Sequence, residues 1–149
     1  NQKTKLIKFH HMADNKNLNL YCLPPLKDRY VENHIYQEGG IIYVFLDKNQ
    51  NPEEFLKLAK SVPEIEKIMT NTEAAKEFHL PADRIGDYVL FAAESCAFGE
   101  VEGERLETND VRTHGSLYER NVPLITIHPE KEEEAYNYSK DIAALAMNL

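Results

Sequence analysis

The run Tyr88–Ala93 (YVLFAA) is apolar at every position instead of at every second one. Successive side chains of a β-strand point to opposite faces, so this run predicts a strand that is buried on both sides. Such strands are typical of mixed or parallel sheets whose two faces are both covered. The run therefore favours an α/β fold with this strand inside a sheet.

Four further segments carry strand patterns. Ile41–Leu46 is β-branched and aromatic and follows a glycine pair, which makes it the clearest strand of the chain. Leu18–Leu23 alternates between apolar and polar residues and predicts a strand, and Glu64–Met69 is another short strand candidate. Val122–Ile127, with a proline near its start, predicts one more short strand.

Helix signals lie between these strands. Asn51 as a cap and Pro52 at the first helical position predict a helix that ends near the Ser-Val-Pro stretch at 61–63. A Thr-x-x-Glu capping box opens the segment 70–78 and predicts a short helix there. Apolar residues at helical spacing predict a further helix over 130–149.

The stretch Glu94–Thr113 is polar and contains Gly99 and Gly103, so we expect a long functional loop. Several glutamates crowd this stretch and could attract a cation, but they lack the spacing of an EF-hand. They are Glu100, Glu102, Glu104 and Glu107.

Composition excludes several classes of partner and compartment. The chain has 149 residues and a formal charge of −8, which argues against a nucleic-acid or anionic-membrane partner. No apolar run has the length of a membrane-spanning helix, and the first residues lack the apolar core of a secretory signal. Two cysteines, Cys22 and Cys96, form no disulfide scaffold or zinc knuckle. We therefore expect a protein of the reducing cytoplasm.

Histidines are the main chemical candidates. His114 stands before a glycine and between a polar stretch and a predicted strand, where an imidazole can be presented to a cleft. On local sequence alone, a loop histidine without a role is the favoured interpretation. His10 and His11 are adjacent and diverge on either a strand or a helix, so they do not predict a shared metal. His79 follows a predicted helix and reads as its C-terminal cap.

Two segments carry a longer pattern. Leu80–Asp87 reads LPADRIGD and precedes the apolar run, while in Arg112–Ile125 a His-Gly pair leads into Val-Pro-Leu-Ile. Together with Leu23–Val31 (LPPLKDRYV), they resemble phosphonoacetate hydrolases. That family belongs to the alkaline phosphatase superfamily, alongside the nucleotide pyrophosphatase/phosphodiesterases.

The resemblance implies an α/β, alkaline-phosphatase-like C-terminal portion with a cap-like βαβ region and a mixed sheet. Residues 1–149 would be a single domain or a fragment, with the cap-like region at about 18–80 and a C-terminal part of the catalytic core at about 81–149. The family uses two zinc ions, and the histidine of its His-Gly motif is a ligand. The resemblance thus implies that His114 is a zinc ligand, and Arg112 and Arg120 beside it could help to bind a substrate carboxylate.

In that family the nucleophilic threonine and most metal ligands lie in an Asp-His-Gly-Met motif or in the sequence before it. Asn1–Thr4 resembles the Asn-x-Lys-Thr stretch that follows this motif. The resemblance implies the C-terminal part of a zinc-dependent enzyme that hydrolyses the C–P bond in phosphonate degradation. Because a catalytic zinc usually has three protein ligands, we expect no activity from this chain alone.

Two other interpretations stay open. The chain can be a fragment of a nucleotide pyrophosphatase/phosphodiesterase, or a stand-alone binding domain without catalysis. A small phosphonate or phosphate-ester substrate is expected only where a catalytic lobe completes the site. An apolar surface left exposed without that lobe would favour a homo-oligomer.

Overall fold

The computed structural model describes residues 3–23, 39–109, 113–123, 125, 138 and 141–143, which form a mixed α/β structure with two sheets. The helices are α1 (Phe9–Asp14), α2 (Pro52–Ser61) and α3 (Asn71–Phe78). The strands are β1 (Thr4–Ile7), β2 (Leu20–Leu23), β3 (Ile41–Leu46), β4 (Ile65–Thr70), β5 (Tyr88–Ala92), β6 (Cys96–Phe98) and β7 (Arg105–Thr108). Short 3-10 turns lie at Ala82–Arg84 and Leu117–Glu119.

The larger sheet has the order β2-β3-β5-β4, and all three of its pairings are antiparallel. The strand predicted from the apolar run is β5, which lies inside this sheet. Leu90 and Ala92 pack into one core cluster, whereas Val89 and Phe91 pack into the other, on the opposite face. Burial on both faces is confirmed, but a mixed or parallel setting for this strand was wrong. An antiparallel sheet accommodates the same pattern because both of its faces are covered.

Helices cover the two faces of the larger sheet. Phe55 and Ala59 of α2 are fully buried in the first cluster, and Ala74 of α3 is fully buried in the second. The Asn51 side chain accepts a hydrogen bond from the backbone of Glu53, as expected of a helix cap. The capping box at the start of α3 is present as well. Both helices therefore begin where the sequence predicts.

The smaller sheet has the order β6-β1-β7 and is mixed. Its central strand β1 pairs in parallel with β6 and antiparallel with β7. The expected long loop over 94–113 was wrong, since both β6 and β7 lie within it. These strands are only three and four residues long. These two strands form because they pair with the distant strand β1 and not because of a local sequence pattern.

Two predicted elements near the end of the chain fall mostly outside the described residues. In the predicted strand 122–127, Val122, Pro123 and Ile125 are described and none of them is in a strand. In the predicted helix 130–149, only residues 138 and 141–143 are described. Within the described parts of the chain, the helices are too short or too polar to span a bilayer.

Candidate functional site

The His114 segment lies beside the smaller sheet. Gly39 forms an antiparallel bridge with Phe98 of β6 and a parallel bridge with His114. The Gly40 amide also donates a hydrogen bond of 3.0 Å to the His114 carbonyl. The mixed sheet thus continues beyond β6 through Gly39 to His114.

The glycine pair connects this site to both sheets. Gly39 exchanges two backbone hydrogen bonds with Phe98, of 3.0 and 2.8 Å, and the Gly40 carbonyl accepts one of 2.8 Å from Ala92 of β5. A Cβ atom on Gly40 would lie 2.5 Å from the Cα atom of Ser116, a distance that real side chains do not tolerate. Glycine at position 40 therefore allows the backbone that follows His114 to approach closely.

The residues after His114 are also anchored. Gly115 has a φ of +79°, a left-handed conformation that suits glycine. Ser116 then caps the 3-10 turn and accepts a hydrogen bond of 3.3 Å from the Tyr118 amide. The Tyr118 hydroxyl donates to the Glu66 carboxylate of β4, which raises the pKa of Tyr118. The backbone is thus held both at the His114 carbonyl and in the turn that follows it.

The His114 side chain itself is exposed. Across the described parts of the chain, no group of three or more His, Cys, Asp or Glu side chains could hold a metal ion. One imidazole is too few for a catalytic zinc, so the donors of these residues do not fit a zinc site by themselves. Zinc ligation by His114 therefore stays a prediction.

The other predicted groups near His114 have different surroundings. Arg112 lies outside the described residues, and the Arg120 guanidinium lies over the ring of Phe78, 5.8 Å from its centroid.

His79 caps α3 with a φ of 54°, as predicted, and its Nε2 atom lies 3.1 Å from the Tyr138 hydroxyl.

Strand direction shows which residues share an edge with His114. The segment at His114 runs parallel to Gly39 and so antiparallel to β6 and β1. In register, Ile7, Phe98, Gly39 and His114 form one row across the sheet. Two strand spacings separate the Phe98 backbone from that of His114, about 10 Å. The carboxyl ends of β1 and β6 and the start of the His114 segment therefore lie at the same end of the strands. We call this end of the sheet the His114 edge.

A charged cluster occupies that edge. Lys8 Nζ lies 2.9 Å from Glu100 Oε2, and His10 Nδ1 lies 3.6 Å from Glu100 Oε1. Sequence reasoning gave His10 no partner and placed Glu100 among the glutamates of a polar loop, and so missed the cluster. Only the parallel pairing of β1 with β6, which places Lys8 beside Glu100, could have revealed it.

A second ionic cluster joins the two sheets. The Glu64 side chain is only 4% exposed and lies 3.0 Å from Arg105 Nε and 3.6 Å from Lys5 Nζ. Burial opposes its charge, but hydrogen bonds from Arg105 and the backbone, with the charges of Arg105 and Lys5, hold the pKa of Glu64 below its ordinary value. Because its partners hold it charged, we assign this carboxylate a structural role.

The two thiols are unsuited to nucleophilic chemistry. Burial, with the nearby charges of Asp14 and Glu100, raises the pKa of Cys22 to about 12. Burial also raises the pKa of Cys96, as does the charge of Glu64. Both thiols stay protonated near neutral pH, and both side chains pack against the first core cluster. Cys96 thus acts as a small apolar residue beside the core.

Comparison with known proteins shows a shared fold. No family model matches this chain. Among solved structures, the chain is similar to the phosphonoacetate hydrolase from Sinorhizobium meliloti 1021 in complex with phosphonoacetate, with a TM-score of 0.60 and 24% sequence identity. The match covers 76% of this chain and 28% of that one. The same enzyme in complex with phosphonoformate gives a TM-score of 0.57 at 24% identity, covering 75% and 28%.

The chain spans less than a third of the length of these structures. At this identity the likeness shows the fold alone. It confirms the resemblance to phosphonoacetate hydrolases at the level of fold.

Proposed function

We propose that this chain is the C-terminal part of a metal-dependent, phosphonoacetate hydrolase-like enzyme. The observation that carries the proposal is the fold shared with the Sinorhizobium meliloti enzyme over 76% of this chain. The segments Leu80–Asp87 and Arg112–Ile125 support it, because their residues resemble that family independently of the fold. The cap-like region at 18–80 and the catalytic part at 81–149 stay predictions.

Within such an enzyme, His114 would supply one zinc ligand. The zinc would polarise the substrate and activate the nucleophile of the enzyme. The nucleophile and the other ligands would come from residues outside the described parts of this chain. The contribution of this chain would be positional. Gly40 holds the His114 carbonyl and Ser116 caps the turn that follows, so the backbone at and after the imidazole would need little reordering to bind.

One observation favours a second candidate, a non-catalytic binding domain. His114 is exposed and has too few ligating neighbours among the described residues to form a metal site. A nucleotide pyrophosphatase/phosphodiesterase fragment is the rival within the enzyme class, because it belongs to the same superfamily. Substrate tests separate the three.

The experiment uses the complete open reading frame that encodes these 149 residues. Its product is supplied with zinc, and the release of acetate and phosphate from phosphonoacetate is measured, with bis(p-nitrophenyl) phosphate as the phosphodiesterase substrate. We expect phosphonoacetate hydrolysis that is lost in His114→Ala and retained in the control His79→Ala. Hydrolysis of the diester alone would favour the phosphodiesterase. A reading frame limited to this chain, without turnover, would favour the binding domain.

We also propose a cytoplasmic location and an association through apolar surface. Leu106, Val122 and Ile125 are 48%, 70% and 83% exposed, and the remainder of a larger enzyme or a second copy would cover such side chains. Sedimentation of this chain should therefore show self-association. A monomer at high concentration would contradict that part of the proposal.

A further inference from the structure

The turn that follows His114 packs on the larger sheet, although His114 itself bridges to the smaller one. The Leu117 side chain is partly buried against the second core cluster, on the face of the larger sheet that α3 covers. Just beyond the turn, the Arg120 guanidinium lies over the ring of Phe78, the last residue of α3. The turn therefore contacts this face of the sheet at its start and again beyond its end.

Tyr118, in the middle of the turn, adds a polar contact to the same sheet. Its hydroxyl donates a hydrogen bond to the carboxylate of Glu66 in the edge strand β4, 52 residues away along the chain. This hydrogen bond raises the pKa of Tyr118, so the hydroxyl keeps its proton and stays a donor. Hydrogen bonds to a charged acceptor are stronger than those between neutral groups.

A second attachment lies immediately before the turn. The Gly40 amide donates a hydrogen bond of 3.0 Å to the His114 carbonyl, and Gly40 directly precedes β3 of the larger sheet. The Ser116 backbone then passes so close to Gly40 that a Cβ atom there would lie 2.5 Å from Ser116 Cα. Residues 114–118 thus contact Gly40 at one end and Glu66 at the other, with the single residue Gly115 between His114 and Ser116.

We propose that Tyr118 is a positioning residue for His114, and that residues 114–118 attach to the two sheets, and leave them, as one unit. Tyr118 acts through the turn, because its bond to Glu66 keeps Ser116 against Gly40 and so keeps His114 in its row beside Gly39. The inference rests on the proposed function only for its consequence in catalysis.

The test is amide hydrogen exchange of the metal-free chain, followed by NMR. The Gly40 amide reports on His114, because it exchanges only when the His114 carbonyl moves away. Tyr118→Phe removes a hydroxyl that makes no contact with this amide, and it should lower the Gly40 protection factor about threefold, as expected for a hydrogen bond at the weak end of the usual range. The Gly39 amide, which donates to the Phe98 carbonyl, is the internal control and should keep its protection.

Matched variants identify the partner of the hydroxyl. Glu66→Leu removes the acceptor and should lower Gly40 protection as much as Tyr118→Phe, and the double variant should lower it no further. Glu66→Gln keeps an acceptor oxygen and should restore most of the protection. Tyr21→Phe removes the hydroxyl of a tyrosine that is 55% exposed, against 56% for Tyr118, and should have no effect.

The same variants are then assayed in the product of the complete reading frame. Tyr118→Phe and Glu66→Leu should lower kcat/KM for phosphonoacetate, whereas Glu66→Gln and Tyr21→Phe should stay close to the native value. This order of the four variants follows the hydrogen bond to residue 66 and not the charge there, since Glu66→Gln also removes the charge.

Three outcomes of the exchange experiment would overturn the proposal. Equal losses at the Gly39 and Gly40 amides would mean that the smaller sheet is destabilised as a whole. Unchanged Gly40 protection in Tyr118→Phe would mean that the turn and His114 move independently, and additive losses in the double variant would mean that Tyr118 does not act through Glu66. Because exchange is measured without metal or substrate, an inactive complete protein with coupled protection would contradict the proposed function alone. An active enzyme with uncoupled protection would contradict only this inference.

Discussion

The close approach at Gly40 allows a sharp test of how His114 is held. A Cβ atom at position 40 would lie 2.5 Å from Ser116 Cα, while ordinary contact begins at 3.4 Å. In Gly40→Ala the Ser116 backbone must therefore retreat by about 0.9 Å, the difference between these distances. That retreat strains or breaks the hydrogen bond from the Gly40 amide to the His114 carbonyl.

The expected cost follows from these two effects. Overpacking a tight contact costs about 1–3 kcal/mol, and a lost backbone hydrogen bond about 1 kcal/mol. We expect Gly40→Ala to lower the free energy of unfolding by about 2–4 kcal/mol. Gly39→Ala is the matched control, because its added Cβ would meet its nearest atom, the His114 carbonyl oxygen, at an ordinary 3.6 Å.

Urea unfolding followed by tyrosine fluorescence measures the global effect, since the chain has eight tyrosines and no tryptophan. Amide hydrogen exchange at residue 40 measures the local one. Protection there should persist in Gly39→Ala and be lost in Gly40→Ala. Similar stability and similar protection in the two variants would refute the idea that this contact fixes His114.

Three further predictions concern the fold. Glu64→Gln should cost about 1–2 kcal/mol at neutral pH, because it removes the charge that Arg105 and Lys5 bind. The folded state lowers the pKa of Glu64. The difference in free energy of unfolding between the native chain and Glu64→Gln should therefore be present above the ordinary pKa of 4.5 and fade as the pH falls through the lowered value. Urea unfolding across pH measures this difference. Phe55→Ala should cost about 3–5 kcal/mol in urea unfolding, because the ring is fully buried against Phe9 and Tyr88. Asn51→Ala should cost about 1 kcal/mol in thermal unfolding, because it removes the cap of α2.

Matched variants control for each of these. Glu102→Gln changes the same charge at an exposed site and should show no comparable loss at neutral pH. Leu56→Ala removes a partly buried neighbour and should cost less than Phe55→Ala. Asn49→Ala changes the same residue type outside the helix and should cost less than Asn51→Ala. A pH-independent loss in Glu64→Gln, or equal losses within either other pair, would contradict the corresponding reasoning.

The parts of the fold that the sequence predicted are those with local causes. Helix α2 begins at Pro52 because a cap and a proline fix its start, and α3 follows a capping box. The predicted strand Ile41–Leu46 agrees with β3 at both ends, because its β-branched and aromatic residues end at turn formers. The bounds of these elements are set by local residues, although β3 also pairs with the distant strand β5.

The missed parts depend on distant pairing. Strands β1, β6 and β7 are too short to carry a hydrophobic period, and their stability comes from each other. The Lys8–Glu100 contact exists only because β1 pairs with β6. His114 was chosen through the resemblance, since one histidine beside a glycine has no local signature of a ligand.

The pairing of β1 also bears on the order in which the molecule forms. Neighbouring strands of the larger sheet come from one continuous part of the chain, whereas Lys5 must find Cys96 across most of it. Closing so long a loop costs entropy before any contact compensates for it, so we expect the smaller sheet to form late. Gly39 and His114 join that sheet through β6 and are expected to become ordered with it. A nascent chain would then form the larger sheet before it assembles the edge that carries Lys8, Glu100 and His114.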